Sequence, residues 1–470
     1  MPFTTLILAA GAGTRMKSER AKVAHTLLGK PMIRWVVDAA AAATGLAAGS
    51  VAAANPSDQR TDATQIITVI GHQREQVEPL VPDTTLVVQE ERLGTGHAVM
   101  MARSKLLELP ADASLVVLNG DTPLITAATI SALAAARAED AAAATVLTFK
   151  LDDPTNYGRI IRDPADKVLR IVEEKDATPE ERACKECNSG AYCFELSALL
   201  AQLDKLSNDN AQGEYYLTDV IGLYVAEGLT VTAHIVDAEE VQGINSRVQL
   251  ALASKALQRR INKEHMEAGV TMLDPELVWV EPGVEIENDV ELLPLTFLGG
   301  ATRVGSGSVL GPNTRVTDST IGRGCHIVET EIVGALLEDN VACGPRAYLR
   351  PGTVMKAGSK AGTHVEIKNS TVGSNSKVPH LSYIGDATLG SDVNIGAGTI
   401  TCNYDGISKN PTTIGDRAFI GSATMLIAPV TVGADAVTGA GSAIAKDVPE
   451  SALALERNKQ TTIENWKERQ

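Results

Sequence analysis

The sequence has no apolar run approaching the roughly eighteen residues of a membrane-spanning helix, so no membrane span is expected. It also lacks a basic excess: 42 Lys and Arg stand against 58 Asp and Glu, a net charge of −16. A general nucleic-acid binder needs a basic surface to neutralise phosphates, so no nucleic-acid partner is expected, and anionic small substrates must be held by local cations. Six cysteines in 470 residues make no disulfide framework, which fits a reducing compartment. Cys184 and Cys187 form one C-x-x-C with Cys193 nearby, but a four-ligand zinc site needs more partners than this neighbourhood has. No basic region precedes the first apolar run and no cleavage site follows it, so the expected location is cytoplasmic.

A chain of 470 residues exceeds one ordinary core, so two or three domains are expected. Near the amino end, Leu6 to Ala10 has the texture of a buried parallel strand and runs into Gly11-Ala12-Gly13-Thr14-Arg15-Met16, with Lys22 beyond. Glycines there admit an anion close to free backbone N–H groups, and Arg15 and Lys22 supply charge. The third glycine of a dinucleotide fingerprint is absent and the lysine comes too late for a P-loop, so an ordinary strand-to-helix turn stays open.

Up to about residue 245 strand-like and helix-like segments alternate: 6–10, 32–43, 66–70, 86–88, 115–118 and 127–138, the signature of a parallel α/β sheet. Residues 44–65 read as a surface insertion. In such sheets ligands bind beyond the carboxyl ends of the strands, where the polar motifs fall. Gln89 and Gly94-Thr95-Gly96-His97-Ala98 follow one strand-like run and suit a base or ribose, or a simple glycine turn. Asn119-Gly120-Asp121-Thr122-Pro123 follows another; its carboxylate suits Mg²⁺ beside substrate phosphates, or a turn before proline. Tyr157-Gly158-Arg159, Glu173-Glu174, Asn188-Ser189-Gly190 and Glu214 to Asp219 could line a sugar pocket, the last being notable in a chain with 3% aromatics. Ser246 to about Glu267 has the apolar spacing of a connecting helix, with Val248, Leu252, Leu257 and Ile261 as its apolar residues.

From about Thr271 a six-residue period appears: Val278, Val284, Val290; Leu298, Val304, Leu310, Val316; Ile414, Ile420, Leu426, Val432 and Ile444, with Thr438 in the skipped place. Gly415, Gly421, Gly433 and Gly439 follow aliphatic positions. Short parallel strands wound into a triangular prism bury one such residue in six, the β-helix solution. The period lapses at roughly 345–383 and 401–412, which predicts surface loops there. Those stretches and their flanks hold Arg350, Lys368, His380, Tyr383, Asn394, Asn403, Tyr404 and Lys409, cations for phosphate and a histidine for proton transfer near neutral pH.

Taken together, Leu8-Ala9-Ala10-Gly11-Ala12-Gly13-Thr14-Arg15-Met16, Gly120-Asp121-Thr122-Pro123, Gly243-Ile244-Asn245 and the run from Asn394 to Gly406 make the chain similar to one bacterial family. It resembles the bifunctional N-acetylglucosamine-1-phosphate uridylyltransferases/glucosamine-1-phosphate N-acetyltransferases nearly end to end. The resemblance implies an α/β nucleotidyltransferase domain with a Rossmann-like mixed sheet (1–245), a linker helix (246–268) and a left-handed parallel β-helix of hexapeptide repeats with a C-terminal tail (269–470). It implies UTP binding by Leu8, Ala9, Gly11, Gly13, Gln89, Gly94 and Thr95, phosphate catalysis by Arg15 and Lys22, and Mg²⁺ ligation by Asp121 and Asn245. Gly158, Glu173, Asn188, Tyr216 and Thr218 match positions around the acetylated sugar phosphate. Arg350, Lys368, Tyr383, Asn394 and Lys409 match the pocket for glucosamine 1-phosphate, and His380 the general base. Asn403, Tyr404, Ser422, Ala440 and Arg457 match positions near acetyl-CoA. It further implies homotrimers with acetyl-transfer sites between subunits. The departures from the family are Ala21, where it usually has proline, Ala24, where it has leucine, the loop around Asn119, and a longer 44–65 insertion. A single-function sugar-1-phosphate nucleotidyltransferase with a regulatory or oligomerising β-helix is the alternative reading.

Overall fold

The computed structural model describes residues 2–45 and 65–469 and divides into two compact units, Met1–Leu257 and Gln258–Gln470. Residues 46–64, most of the expected surface insertion, lie outside the described residues.

In the first unit, β1 (Phe3–Leu8), α1 (Met32–Ala43), β2 (Ile66–Ile70), β3 (Thr85–Val88), α2 (Thr95–Met101), β4 (Ser114–Asn119) and α3 (Ala127–Glu139) reproduce the expected alternation. They continue through β5 (Ala144–Lys150), β6 (Arg159–Arg162), β7 (Val168–Val172), β8 (Glu186–Glu195), α4 (Leu196–Leu203), α5 (Asp219–Ala226) and β9 (Val231–Ile235). The sheet order is β9-β5-β8-β4-β1-β2-β3, with β6 paired to β8 and β7. It is mixed rather than parallel: β8 runs antiparallel to both β4 and β5. Its sequence hides this strand, because polar Asn188 and Ser189 sit inside it, buried, at a register shift between Asn188 and Tyr192. β1 also ends at Leu8, two residues earlier than its apolar run suggests. Ala9 N still donates to Val69 O, after which the chain leaves the sheet. Leu6, Ile67, Val69, Leu115 and Val117 point into one core layer, and Ile7, Ile66, Ile70, Val116 and Leu118 into the other, as period-two alternation in a sheet covered on both faces requires.

Helix α6 (Arg247–Glu267) is the helix expected from Ser246 to about Glu267, with only part of the expected apolar face. Of its four expected apolar residues Leu257 and Ile261 are buried and Val248 and Leu252 are exposed; Leu257 packs with Ala253 and Ala256 against Leu27, Met32, Leu124 and Ile244. Within the second unit, buried Gln258 and Asn262 donate to the Val278 carbonyl at 2.6 and 2.9 Å, satisfying the first coil's backbone.

The second unit is a left-handed β-helix. Among the described residues its short strands stack into three parallel sheets of 11, 10 and 9 strands. Every hexad residue named above from Val278 to Ile444 is buried, Thr438 included. Corners demand glycine where coils nearly touch: a Cβ on Gly421 would lie 2.5 Å from Thr438 O. The loop expected over 345–383 is not there. Leu349, Met355, Ala361, Ile367, Val372, Val378 and Ile384 continue the buried ladder. Coils in this region are short by a residue (Ile367 pairs with Ile384, Met355 with Val372), so the six-residue count slips while the winding persists. The second lapse is real: strands Ile400–Cys402 and Thr412–Ile414 are separated by a loop in which Tyr404 and Lys409 form an antiparallel bridge.

Candidate active sites

In the first unit the strand ends surround a cavity of about 640 Å³ lined by Leu8, Ala9, Gly11, Gly13, Arg15, Lys22, Gln89, Gly94, Thr95, Asp121 and Asn245, so residues from stretches far apart in the sequence converge. Gly13 has φ +60°, and a Cβ there would lie 2.5 Å from Lys22 Cβ, so this glycine lets the loop fold onto the lysine stem. Gly11 differs, with nothing within 4 Å of its Cβ position. Among the described residues the amides of 10–13 make no hydrogen bond within the chain, which leaves them available to an anion.

Lys22 Nζ lies 2.5 Å from Asp121 Oδ2 and 3.1 Å from Asn245 Oδ1. Ile244 N donates to Asp121 O at 2.8 Å, tying the two oxygen-bearing segments together. One carboxylate oxygen and one amide oxygen therefore converge on a single cationic centre, a donor set that suits a hard divalent cation completed by substrate oxygens. At the opposite wall Gln89 is buried, and its Nε2 donates to Gly94 O at 3.1 Å and meets His97 Nδ1 at 3.0 Å. Gly94 at φ +104° allows Tyr215 O to come so near that a Cβ would sit 2.5 Å from it.

Gly158, Glu173, Asn188, Tyr216 and Thr218 do not line this cavity; they form a separate group. Thr218 Oγ1 donates to Glu173 Oε1 at 3.2 Å, Asn188 N donates to Gly158 O at 2.9 Å, and a Cβ on Gly158 would lie 3.5 Å from Glu173 Oε2. Burial pushes the Glu173 carboxyl above its ordinary value, against the Thr218 hydroxyl and helped by Asp219, Asp176 and Glu214. Sequence reasoning gave no role to Arg92, which lines the strand-end cavity at the end of an ordinary-looking charged run.

In the second unit the network centres on Asp386, which sequence reasoning missed because it sought cations. Lys368 Nζ lies 3.2 Å from Asp386 Oδ1, and Asn369 and Asn403 donate to the same carboxylate at 2.7 and 2.5 Å. Burial pushes that carboxyl up, but the three donors outweigh it and hold it below the usual range. Asn403 Nδ2 also reaches Tyr383 OH at 3.5 Å. The neighbouring Lys368 ammonium depresses Lys409. Lys409, Asn369 and Asp386 line a cavity of about 390 Å³. Arg350 pairs with Glu366 at 2.8 Å, and its N donates to Ile367 O, one residue from Lys368.

His380 and Asn394 lie outside this network. His380 is exposed at the end of strand Lys377–His380, its carbonyl accepting from Ser382 Oγ. Asn394 pairs with Lys377 and Phe419 on the same sheet. Arg457 Nη1 donates to Ala440 O at 3.0 Å, and Gly441 N to Ser422 O, so these three acetyl-CoA candidates stack on successive coils. Tyr404 turns its hydroxyl onto Gly406 O at 2.7 Å.

Comparison with known proteins agrees with both halves. The nucleotidyl transferase family is matched over residues 4–242. The bifunctional protein GlmU of Heliobacterium modesticaldum is 50% identical over 466 residues, 98% of this chain and 97% of its own length. That of Caldanaerobacter subterraneus subsp. tengcongensis is 46% identical over 467 residues, 99% and 98% of the two chains. That of Desulfitobacterium hafniense is 47% identical over 466 residues, 99% and 98%. With the α/β unit, the β-helix and these alignments running end to end, the chain belongs to the bifunctional GlmU family and is a transferase whose amino-terminal half is a nucleotidyl transferase domain.

Proposed function

We propose that the chain makes UDP-N-acetylglucosamine in two steps divided between its halves. Residues 269–470 move the acetyl group of acetyl-CoA to glucosamine 1-phosphate, and residues 1–245 join the product to UTP with release of pyrophosphate. The observation that carries the second step is the convergence of Arg15, Lys22, Asp121, Asn245 and Gln89 on one cavity at the carboxyl ends of the strands.

In uridylyl transfer a phosphate oxygen of N-acetylglucosamine 1-phosphate attacks the α-phosphorus of UTP and the bond to pyrophosphate breaks. Arg15 and Lys22 neutralise the phosphates, the loop amides bind them, and Gln89 with Gly94 and Thr95 holds the base. Asp121 and Asn245 would hold Mg²⁺, which supplies positive charge to the phosphates. Glu173, Asn188, Gly158, Tyr216 and Thr218 bind the acetylated sugar. Positioning and electrostatics dominate the catalysis. In acetyl transfer the amine of glucosamine 1-phosphate attacks the thioester carbonyl while His380 takes its proton, and the thiolate of CoA leaves and is protonated. Arg350, Lys368, Tyr383, Asn394 and Lys409 hold the sugar phosphate; Asn403, Tyr404, Ser422, Ala440 and Arg457 border the acetyl donor. The exposed His380, apart from the Asp386 network, is consistent with a homotrimer in which a neighbouring copy completes the site.

His380→Ala should lower acetyl transfer roughly a hundredfold and leave uridylyl transfer intact, the usual scale for a general base. Asp121→Ala should do the converse. Separate assays of CoA and pyrophosphate release check this; a joint loss of both rates in a folded variant would sink the two-site reading.

A further inference from the structure

The candidate phosphate lysine follows a segment held from outside by two glutamines. Ala21 N donates to Gln76 Oε1 at 2.8 Å. The same side chain donates through Nε2 to Glu19 O at 3.0 Å, and Gln73 Nε2 donates to that carbonyl at 2.7 Å. Ala21 is buried, with φ −52° and ψ 137°, and caps the helical turn Lys22–Ala24. Its φ is one a proline ring would fix, but its N–H is in use, which no proline allows.

Both glutamines belong to the segment after β2, where Gln73 stands at φ +56° before the short helical turn Arg74–Val77. This segment also touches the base side of the cavity: a Cβ on Gly71 would lie 2.8 Å from Gln89 O, and Arg74 pairs with Glu90 at 3.1 Å. One short stretch of chain thus grips the loop leading to Lys22 and lies against the Gln89 backbone.

We propose that Gln73 and Gln76 are positioning residues for uridylyl transfer, a side-chain clamp that sets Lys22 over Asp121 and Asn245 and holds it in register with the base-binding wall. The proposal rests on the nucleotidyl transfer assigned to this cavity. The clamp replaces covalent stiffness with hydrogen bonds: without it, residues 17–21 have more conformations and Lys22 Nζ is less often in place, so the turnover should fall more than substrate binding.

The test is the full-length chain carrying Gln73→Ala with Gln76→Ala, compared with the parent by pyrophosphate release, CoA release and hydrogen exchange at residues 17–25. The clamp predicts a kcat for uridylyl transfer about tenfold lower, KM for UTP changed less than threefold, unchanged acetyl transfer, a melting temperature within a few degrees of the parent's, and faster exchange confined to the loop. Ala21→Pro added to Gln76→Ala, where the glutamine has vacated the space beside the N, should recover most of the lost kcat. In the parent background the same proline should lower kcat by leaving Gln76 Oε1 without its donor. An unchanged kcat in the double-glutamine variant, or loop exchange equal to the parent's, overturns the clamp. A parent chain that releases no pyrophosphate from UTP would instead overturn the activity itself, and the exchange measurement would still decide whether the glutamines hold the loop.

Discussion

Lys22 shows how a strongly acidic protein handles anions. The net charge of −16 repels them in bulk, so attraction has to be local, and here a single ammonium stands between a carboxylate and an amide oxygen at the mouth of a glycine loop. Glu173 presents the opposite case, a carboxyl whose burial raises its pKa above the ordinary value. Folding therefore favours its protonated form. Its contribution to stability is most favourable below the unfolded pKa of about 4.3 and is lost as pH rises through the higher folded value. Glu173→Gln removes that term. The variant should be more stable than the parent at pH 7 and nearly equal to it at pH 4, as read from urea midpoints at the two values, while its uridylyl transfer should fall if Glu173 accepts from the sugar as proposed. A variant equally stabilised at both pH values would remove the titration of this carboxyl as the cause.

At the scale of elements, legibility followed periodicity. β1, β2, α1 and α3 could be read because their burial is continuous or strongly patterned. β8 could not, since Asn188, Ser189 and Gly190 interrupt its apolar run, and only pairing with β4 and β5 explains why Asn188 and Ser189 are buried. Likewise the hexad count failed over 345–383 because dropping one corner residue shifts the count without unwinding a coil, whereas the longer insertion after Cys402 does project a loop. Much of the first unit's cavity was readable because Leu8, Ala9, Gln89 and Asp121 sit at or just beyond strand ends. Asp386, Arg92 and the glutamine clamp were not, because their roles depend on partners far away in sequence. The continuous ladder makes a stability prediction. Ile367 is fully buried between Leu349 and Ile384, and Ile367→Ala should cost about 2–5 kcal/mol in the second unit's unfolding. Denaturant titration followed alongside pyrophosphate release should show uridylyl transfer persisting at urea concentrations where this β-helix has already melted; a cost below about 1 kcal/mol would mean that the coils there are not packed as a ladder.

At the scale of the molecule, the strand-end cavity is built from residues of the first unit and the Asp386 network from residues of the second. Among the described residues neither constellation borrows a side chain from the other. If the acetylated sugar phosphate is released between the two steps, the steps need not occur on one molecule. A mixture of Asp121→Ala and His380→Ala proteins, each nearly unable to convert glucosamine 1-phosphate, acetyl-CoA and UTP into UDP-N-acetylglucosamine, should then recover product formation. The recovered progress curve should begin with a lag, because free N-acetylglucosamine 1-phosphate must first accumulate to the level the second site needs, and the lag should shorten as the Asp121→Ala protein is increased. Adding N-acetylglucosamine 1-phosphate at the start should abolish it. If both variants retain their own half-reaction yet the mixture stays inactive, the intermediate does not leave the molecule that makes it, and the two sites are coupled in a way their separate construction does not provide.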